Sequence, residues 1–258
     1  MSTPTFTGVD IPYAGLRELV PTLKAGTVTL LASWTSIGKT ALAVDLARNA
    51  ALAGVPTLYF SGHERQEALA VRMLAATAGV DNTVLEQRPV PDAEMERVHA
   101  AKDRLAAAPL TFGSEVSGPV SRVVEQAKDT DPRLLVVDDV DSLTDPDHLQ
   151  EAELAKYGVM LSSLARTRQM SILVLSQLNR VPSQEYGRAP QIADLGVRRS
   201  LARACQTVLL MHRPDFYDPD DRPLEADIQV LTPAGASRGT VALGTLLARS
   251  QFVDLPKK

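Results

Sequence analysis

The sequence predicts an α/β domain with a mostly parallel sheet and helices on both of its faces. Three observations carry that reading. Residues 28–32 are a mostly apolar run, and 134–137 and 172–175 are apolar runs, as expected of strands buried on both sides. Helix-period segments separate them, which is the βαβ pattern of a parallel sheet. The first run also passes through a short polar loop into Gly38-Lys39-Thr40 and an alanine-rich segment, the strand–loop–helix grammar of a phosphate-binding loop.

The elements follow in order. Residues 15–20 suggest a short helix stopped by Pro21, and Lys24-Ala25-Gly26 turns into the first strand. The helix after the loop extends to Ala53, and Gly54-Val55-Pro56 ends it. Residues 57–61 read as a strand. Leu69, Ala70, Met73, Leu74 and Ala76 form the apolar stripe of a helix over 66–78. A further helix is expected over 93–107, a short strand over 110–112 and a helix over 120–128. Residues 133–138 are a buried strand ending in Asp138, followed by an acidic, mobile loop over 141–148. A long helix over 151–169 leads to the strand 171–176. A polar loop over 181–190 and a helix over 192–204 precede the strand 207–211. Residues 215–223 are an acidic turn region, and two last strands, 225–231 and 240–247, form an antiparallel hairpin. Residues 1–14 read as a lead-in, 15–254 as one domain and 255–258 as a tail.

The totals exclude several classes. A chain of 258 residues, 45% hydrophobic and 22% charged, can bury one large core. A single cysteine, Cys205, excludes a disulfide framework within the chain and points to a reducing cytoplasm. There is no run of eighteen apolar residues and no membrane span is expected; residues 1–10 lack the pattern of a secretory signal. The net charge of −4 is unlike that of a strongly basic nucleic-acid binder.

The loop Ser33-Trp34-Thr35-Ser36-Ile37-Gly38-Lys39-Thr40 is the candidate nucleotide site. Backbone N–H groups of such a loop face phosphates, a lysine reaches the terminal phosphates and a hydroxyl ligates Mg²⁺. Ser33 stands where the pattern usually has its first glycine. Asp138, at a strand's carboxyl end, is the candidate Mg²⁺-orienting acid, beside Thr40. Gln177 ends the next buried strand, either as a sensor of the terminal phosphate or as a polar strand end. Trp34 either stacks on a base or packs at the sheet edge. Cys205 reads as a buried apolar residue, and His212 as structural.

Taken with Gly38-Lys39-Thr40-Ala41, the ordered segments Phe60-Ser61, Leu74-Ala75, Val136-Val137-Asp138, Leu175-Ser176-Gln177-Leu178-Asn179-Arg180, Pro190-Gln191-Ile192-Ala193-Asp194-Leu195 and His212-Arg213 resemble the C-terminal ATPase domain of the bacterial replicative helicase family, DnaB. The resemblance extends from about Gly15 to Asp254. It implies a RecA-like P-loop NTPase fold, Mg²⁺ and ATP as ligands, a homo-oligomeric ring or filament with ATP between subunits, and single-stranded DNA as a partner. The family's primase-engaging N-terminal domain has no counterpart in these residues.

Three departures qualify that implication. The family's second strand ends Phe-Ser-Leu-Glu-Met, its Glu being the catalytic base; here Phe60-Ser61-Gly62-His63-Glu64 puts His63 in that place and Glu64 one residue late. His63, Glu64 and Asp139 are all candidate bases. The family's last hairpin carries Lys-x-Arg-x-Gly, which reaches a neighbour's ATP; here Thr232 and Ala234 occupy those positions, leaving Arg238 as the only cation in the turn. The family's Asp-Leu-Arg-Glu-Ser-Gly becomes Asp194-Leu195-Gly196-Val197-Arg198-Arg199, and four carboxylates, Asp139, Asp141, Asp145 and Asp147, follow Asp138. They would repel DNA phosphates. Arg198, Arg199 and Arg203 read as a solvated helix face. Two functions follow as expectations: a helicase-like, DNA-dependent ATPase motor with impaired hydrolysis, or a degenerate non-motor homologue that binds nucleotide as a structural or regulatory ligand and acts through an unknown protein partner.

Overall fold

In the computed structural model, which describes residues 5–86, 90–113, 119–143, 150–179 and 187–256, the sheet is built outward from β3 (Thr27–Ser33). Six of its seven residues are buried, which is why the run is mostly apolar. β3 pairs in parallel with β7 (Ser171–Gln177) on one side and β8 (Thr207–His212) on the other. Beyond β7 come β6 (Leu134–Asp138), β4 (Thr57–Ser61) and β5 (Leu110–Phe112), again parallel. Ser33 pairs with Gln177 and Ser61 with Asp138, so four strand ends share one rim of the sheet.

The connections include α2 (Lys39–Leu52), α3 (Gln66–Ala78), α5 (Asp92–Ala106), α6 (Val120–Thr130) and α7 (Glu151–Arg168). These agree with the helices read from apolar periodicity to within two residues. A short helix, α4 (Asn82–Glu86), lies between α3 and α5 with none of its residues buried, which explains why no apolar stripe announces it. Among the described residues no helix is long and apolar enough to cross a membrane.

The expected antiparallel hairpin stands at the far edge and is extended by one further strand. Beyond β8 stand three antiparallel strands, β9 (Glu225–Leu231), β10 (Ser237–Leu246) and β11 (Gln251–Asp254), completing a nine-stranded sheet. Ser250, at a φ of 51°, turns the chain back into β11. The stretch 8–13 also packs: β1 (Gly8–Asp10) pairs with β2 (Thr22–Lys24), flanking α1 (Ala14–Leu19), and Val9, Ile11 and Tyr13 are buried. Buried Asp45 on α2 ties both ends together, accepting hydrogen bonds from the Tyr13 hydroxyl at 2.7 Å and the Phe252 backbone N–H at 2.9 Å. β1, β2 and β11, of three or four residues, are too short to carry a period, and the sequence reading had none of the three.

The helix expected over 192–204 is broken. Residues Ile192–Arg198 form a 3₁₀ helix with non-helical Gly196, and only α8 (Arg199–Ala202) is α-helical. Gly196 has a φ of 52°, and a Cβ there would lie 2.0 Å from the Asn179 amide nitrogen. The tertiary contact, rather than helix propensity, decides the backbone at this point. Arg180, most of the 181–190 loop and residues 144–149 of the acidic loop, Asp145 and Asp147 among them, lie outside the described residues.

Candidate functional site

The phosphate-loop sequence leaves β3 at Ser33 and enters α2 at Lys39. Ser36 at a φ of 64° and Gly38 at 113° make the two left-handed turns of the loop. A Cβ on Gly38 would come within 3.3 Å of Leu247, so both conformation and space favour glycine there. Ser33 fits the first position without a left-handed backbone, its hydroxyl donating to the Trp34 carbonyl at 2.8 Å. The Lys39 ammonium is buried and, among the described residues, donates to two carbonyls, Ser33 at 3.4 Å and Trp34 at 3.3 Å. Burial pushes its pKa down, against the pull of Asp139, Asp138 and Asp141. A desolvated cation with long, neutral hydrogen bonds is suited to receive an anion.

Asp138 faces this loop from the end of β6. Its carboxylate accepts from the Thr40 hydroxyl at 3.3 Å and from the buried Tyr59 hydroxyl at 2.7 Å. Burial raises its pKa to about 6, although both hydrogen bonds favour the ionised form. The folded protein therefore retains a proton that the unfolded chain has already lost, and the metal-free protein loses stability as pH rises from the ordinary aspartate range through about 6. At neutral pH the penalty is of order 3 kcal/mol at most. Asn mimics the protonated acid, so Asp138→Asn should raise the denaturant midpoint near pH 7, and the gain should vanish near pH 4. An equal effect at both values would show that the ionised carboxylate is not desolvated.

The opposite wall comes from the loop after β4. The Ser61 hydroxyl accepts from the backbone N–H of His63 at 3.3 Å and of Glu64 at 3.0 Å, which fixes the turn. Gly62 lies against Ser142, where any Cβ would collide with the hydroxyl. The turn directs the three candidate bases differently. Glu64 forms a bidentate pair with Arg72 of α3, at 2.7 and 2.8 Å. Asp139 is buried; its Oδ1 accepts from the Ser142 N–H at 3.0 Å and lies 3.2 Å from His63 Nε2. Burial and neighbouring Asp141 raise the Asp139 pKa, while His63, Ser142 and Lys39 oppose the rise. His63 keeps 55% of its side chain exposed.

Gln177 completes the rim. Its side-chain oxygen accepts from the Thr35 hydroxyl at 3.3 Å, and its N–H donates to Asp141 at 2.7 Å. Asp141 in turn accepts from Arg198 at 2.7 Å, and Arg198 also donates to Asn179 at 2.8 Å. Arg198 is thus a structural cation that offsets part of the acidic loop, whereas Arg199 and Arg203 are exposed.

Together these groups line a cleft of about 370 Å³, bounded by Thr35, Ser36, Gly38, Lys39, Thr40, His63, Glu64, Asp138, Asp139 and Gln177, with Arg72 and Leu247. The side chains of Ser33, Trp34 and Ile37 are buried behind it. Trp34 packs edge-on to His212 and Tyr217, each with ring centres 6.4 Å away, and its indole N–H donates to the Asn179 carbonyl at 3.0 Å. That is the packing alternative for Trp34, and its loop contributes backbone to the cleft. Cys205 is buried, its thiol pKa pushed up to about 12, and His212 is buried with its pKa lowered by burial. Sequence reasoning missed Arg72 and Tyr59 as parts of the site. Arg72 left a trace, a cation beside the apolar stripe of α3; Tyr59 left none.

The hairpin positions Thr232 and Ala234 lie elsewhere. They follow Leu231, which pairs with Val208 near the start of β8, whereas the phosphate loop follows the carboxyl end of β3, parallel to β8. The turn is closed by Thr232 N–H to the Ala236 carbonyl and Gly235 N–H to the Thr232 carbonyl, both 2.8 Å, with Ala234 and Arg238 exposed.

A mostly parallel sheet with a phosphate-loop sequence leaving its central strand is the RecA-like P-loop architecture. The family model for the DnaB-like helicase C terminal domain matches residues 8–254. The chain belongs to that family. It is 27% identical over 259 residues to the replicative DNA helicase DnaB of Leifsonia xyli subsp. xyli, covering 97% of this chain and 57% of that protein. It is 28% identical over 253 residues to the replicative DNA helicase DnaB of Buchnera aphidicola, covering 92% and 53%. The chain thus spans little more than half the length of these relatives. Among solved structures, a DnaB-like replicative helicase superposes with a TM-score of 0.88 at 18% identity, covering 98% of this chain and 63% of that one. The RadB recombinase superposes at 0.62, with 17% identity and coverage of 96% and 100%.

Proposed function

We propose that the chain binds Mg-ATP in this cleft and hydrolyses it slowly, as the ATPase unit of a helicase-like homo-oligomer. The observation that carries the proposal is the meeting, on one rim, of the 33–40 loop with its desolvated Lys39 and the Thr40–Asp138 pair. In this reading the loop backbone and Lys39 hold the phosphates. A bound Mg²⁺ would supply positive charge to offset the charge that develops on the phosphates. The Thr40 hydroxyl and Asp138 carboxylate, 3.3 Å apart, are the oxygen donors suited to hold and orient it. Gln177, hydrogen-bonded to Thr35 of the loop, is placed to sense the terminal phosphate. An adjoining cavity of about 340 Å³, sharing Leu247 with the cleft and lined also by Leu224, Leu246 and Arg213, would take the base.

The weak point of the site is the partner's side. Thr232 and Ala234 give a neighbour's phosphates no cation, and an arginine finger is worth roughly 10³–10⁵ in rate. Slow turnover is therefore expected in a ring or filament. These same substitutions support the second reading, a non-motor homologue for which nucleotide is a structural or regulatory ligand and a protein partner does the rest.

Mg-ATP at about 100 times its dissociation constant should stabilise the protein by about 2.7 kcal/mol, raising the melting temperature by roughly 5 °C or more. No shift at millimolar nucleotide would remove the proposal. Single-stranded DNA should bind weakly. Asp139 is buried and Asp141 is paired with Arg198, but the sequence between them and residue 150 adds two more aspartates, and the net charge is −4. A labelled strand should lose at least about tenfold in affinity between about 50 and about 200 mM salt. Tight binding that persists at high salt would contradict this view of the surface.

A further inference from the structure

Beside the nucleotide contacts, the wall of the cleft holds a His–Asp pair as well as the Glu64–Arg72 ion pair. His63 Nε2 lies 3.2 Å from Oδ1 of buried Asp139. We propose that His63 is the general base for the attacking water and that Asp139 is the residue that positions it, an Asp–His pair standing in for the glutamate absent from the strand end. The proposal rests on Mg-ATP occupying the cleft.

Three features single out this pair. An ionised carboxylate only accepts, so with Asp139 ionised the contact puts the imidazole proton on Nε2 and makes Nδ1 the acceptor nitrogen. Asp139 is itself fixed: the Ser142 N–H donates to its Oδ1 at 3.0 Å, and the Ser142 hydroxyl donates to its carbonyl at 2.7 Å. Gly62, whose missing side chain makes room for that same Ser142 hydroxyl, lets the His63 turn sit directly over the Asp139 turn. Of the alternatives, Glu64 has both oxygens engaged by Arg72, and Asp139 is 3% exposed. His63 is the candidate that lines the cleft and keeps 55% of its side chain exposed.

The step balances without any further reactant. Water oxygen bonds to the terminal phosphorus as the bond from that phosphorus to the bridging oxygen breaks, and ADP leaves with the bridging electron pair. The water proton passes to His63 Nδ1, giving an imidazolium held against the Asp139 carboxylate, and then returns to solvent.

The test has two arms. In the first, long-range ¹H–¹⁵N NMR on histidine-labelled protein without nucleotide reads the ring tautomer, with His63→Gln assigning the signal among the four histidines. A single Nε2-protonated form is expected, turning to a mixture in Asp139→Asn. A mixture already present in the unmutated protein would overturn the positioning role. In the second arm, radiolabelled Mg-ATP is mixed with excess protein and followed through one turnover, with binding measured separately. His63→Gln should bind Mg-ATP as the unmutated protein does and lose about 10²-fold or more in rate. His63→Ala should regain part of that rate with added imidazole. Unchanged turnover in His63→Gln, or no turnover in the unmutated protein, would overturn the proposal while leaving Mg-ATP binding standing. Failure of the unmutated protein to bind Mg-ATP would remove both.

Discussion

Restoring the hairpin cations, Thr232→Lys with Ala234→Arg, should raise ATP turnover by about 10³-fold or more. The positions tolerate the change: Ala234 is exposed, and the turn is closed by backbone hydrogen bonds that neither substitution removes. Thr232 also accepts a side-chain hydrogen bond from the Ala236 N–H at 3.1 Å, whose loss should cost about 1 kcal/mol locally. The tip of this turn stands at the end of β8 remote from the chain's own phosphate loop, so the cations would act on a neighbour's cleft. The gain should therefore appear only at concentrations where chains assemble, and phosphate release per chain should rise with concentration. On the proposal that His63 is the base, the gain should not need His63→Glu. A gain present in isolated chains would contradict action across subunits. Rapid turnover in the unmutated protein would show that another group, Arg238 or Arg72, already supplies the charge.

Lys39→Ala should abolish Mg-ATP binding without weakening the fold. Lys39 is 8% exposed, and burial already disfavours its charged form. Its hydrogen bonds among the described residues, 3.3 and 3.4 Å to loop carbonyls, are long and compensate little of that desolvation. The ligand-free variant should melt no lower than the unmutated protein, and the nucleotide-induced rise in melting temperature should disappear. A variant that melts lower and still shifts with Mg-ATP would mean that the lysine is a structural tie and that nucleotide binds elsewhere.

Most of the parallel sheet was legible in the sequence because burial on both faces leaves unbroken apolar runs such as 134–137, and because the Lys39 helix and the 66–78 stripe have clear periods. The phosphate-loop pattern was legible for a different reason: its residues fall in one short, ordered segment. What local sequence hid were contacts between distant segments. Nothing near Asp45 announces that it holds Tyr13 and Phe252. Nothing near Gly196 announces that Asn179 would collide with a side chain there. The choice among His63, Glu64 and Asp139 was open in the sequence because a turn can rotate any of three neighbouring side chains toward a cleft. It was the hydrogen bonds from Arg72 to Glu64 and between His63 and Asp139 that gave each a different environment.

The measurement that bears most directly on Mg-ATP occupancy of the cleft is a calorimetric titration of Mg-ATP into the unmutated protein and into Lys39→Ala. One saturable site per chain in the unmutated protein, and no binding heat in the variant, is the expected result. Equal binding by both proteins, or none by either at millimolar nucleotide, would contradict it.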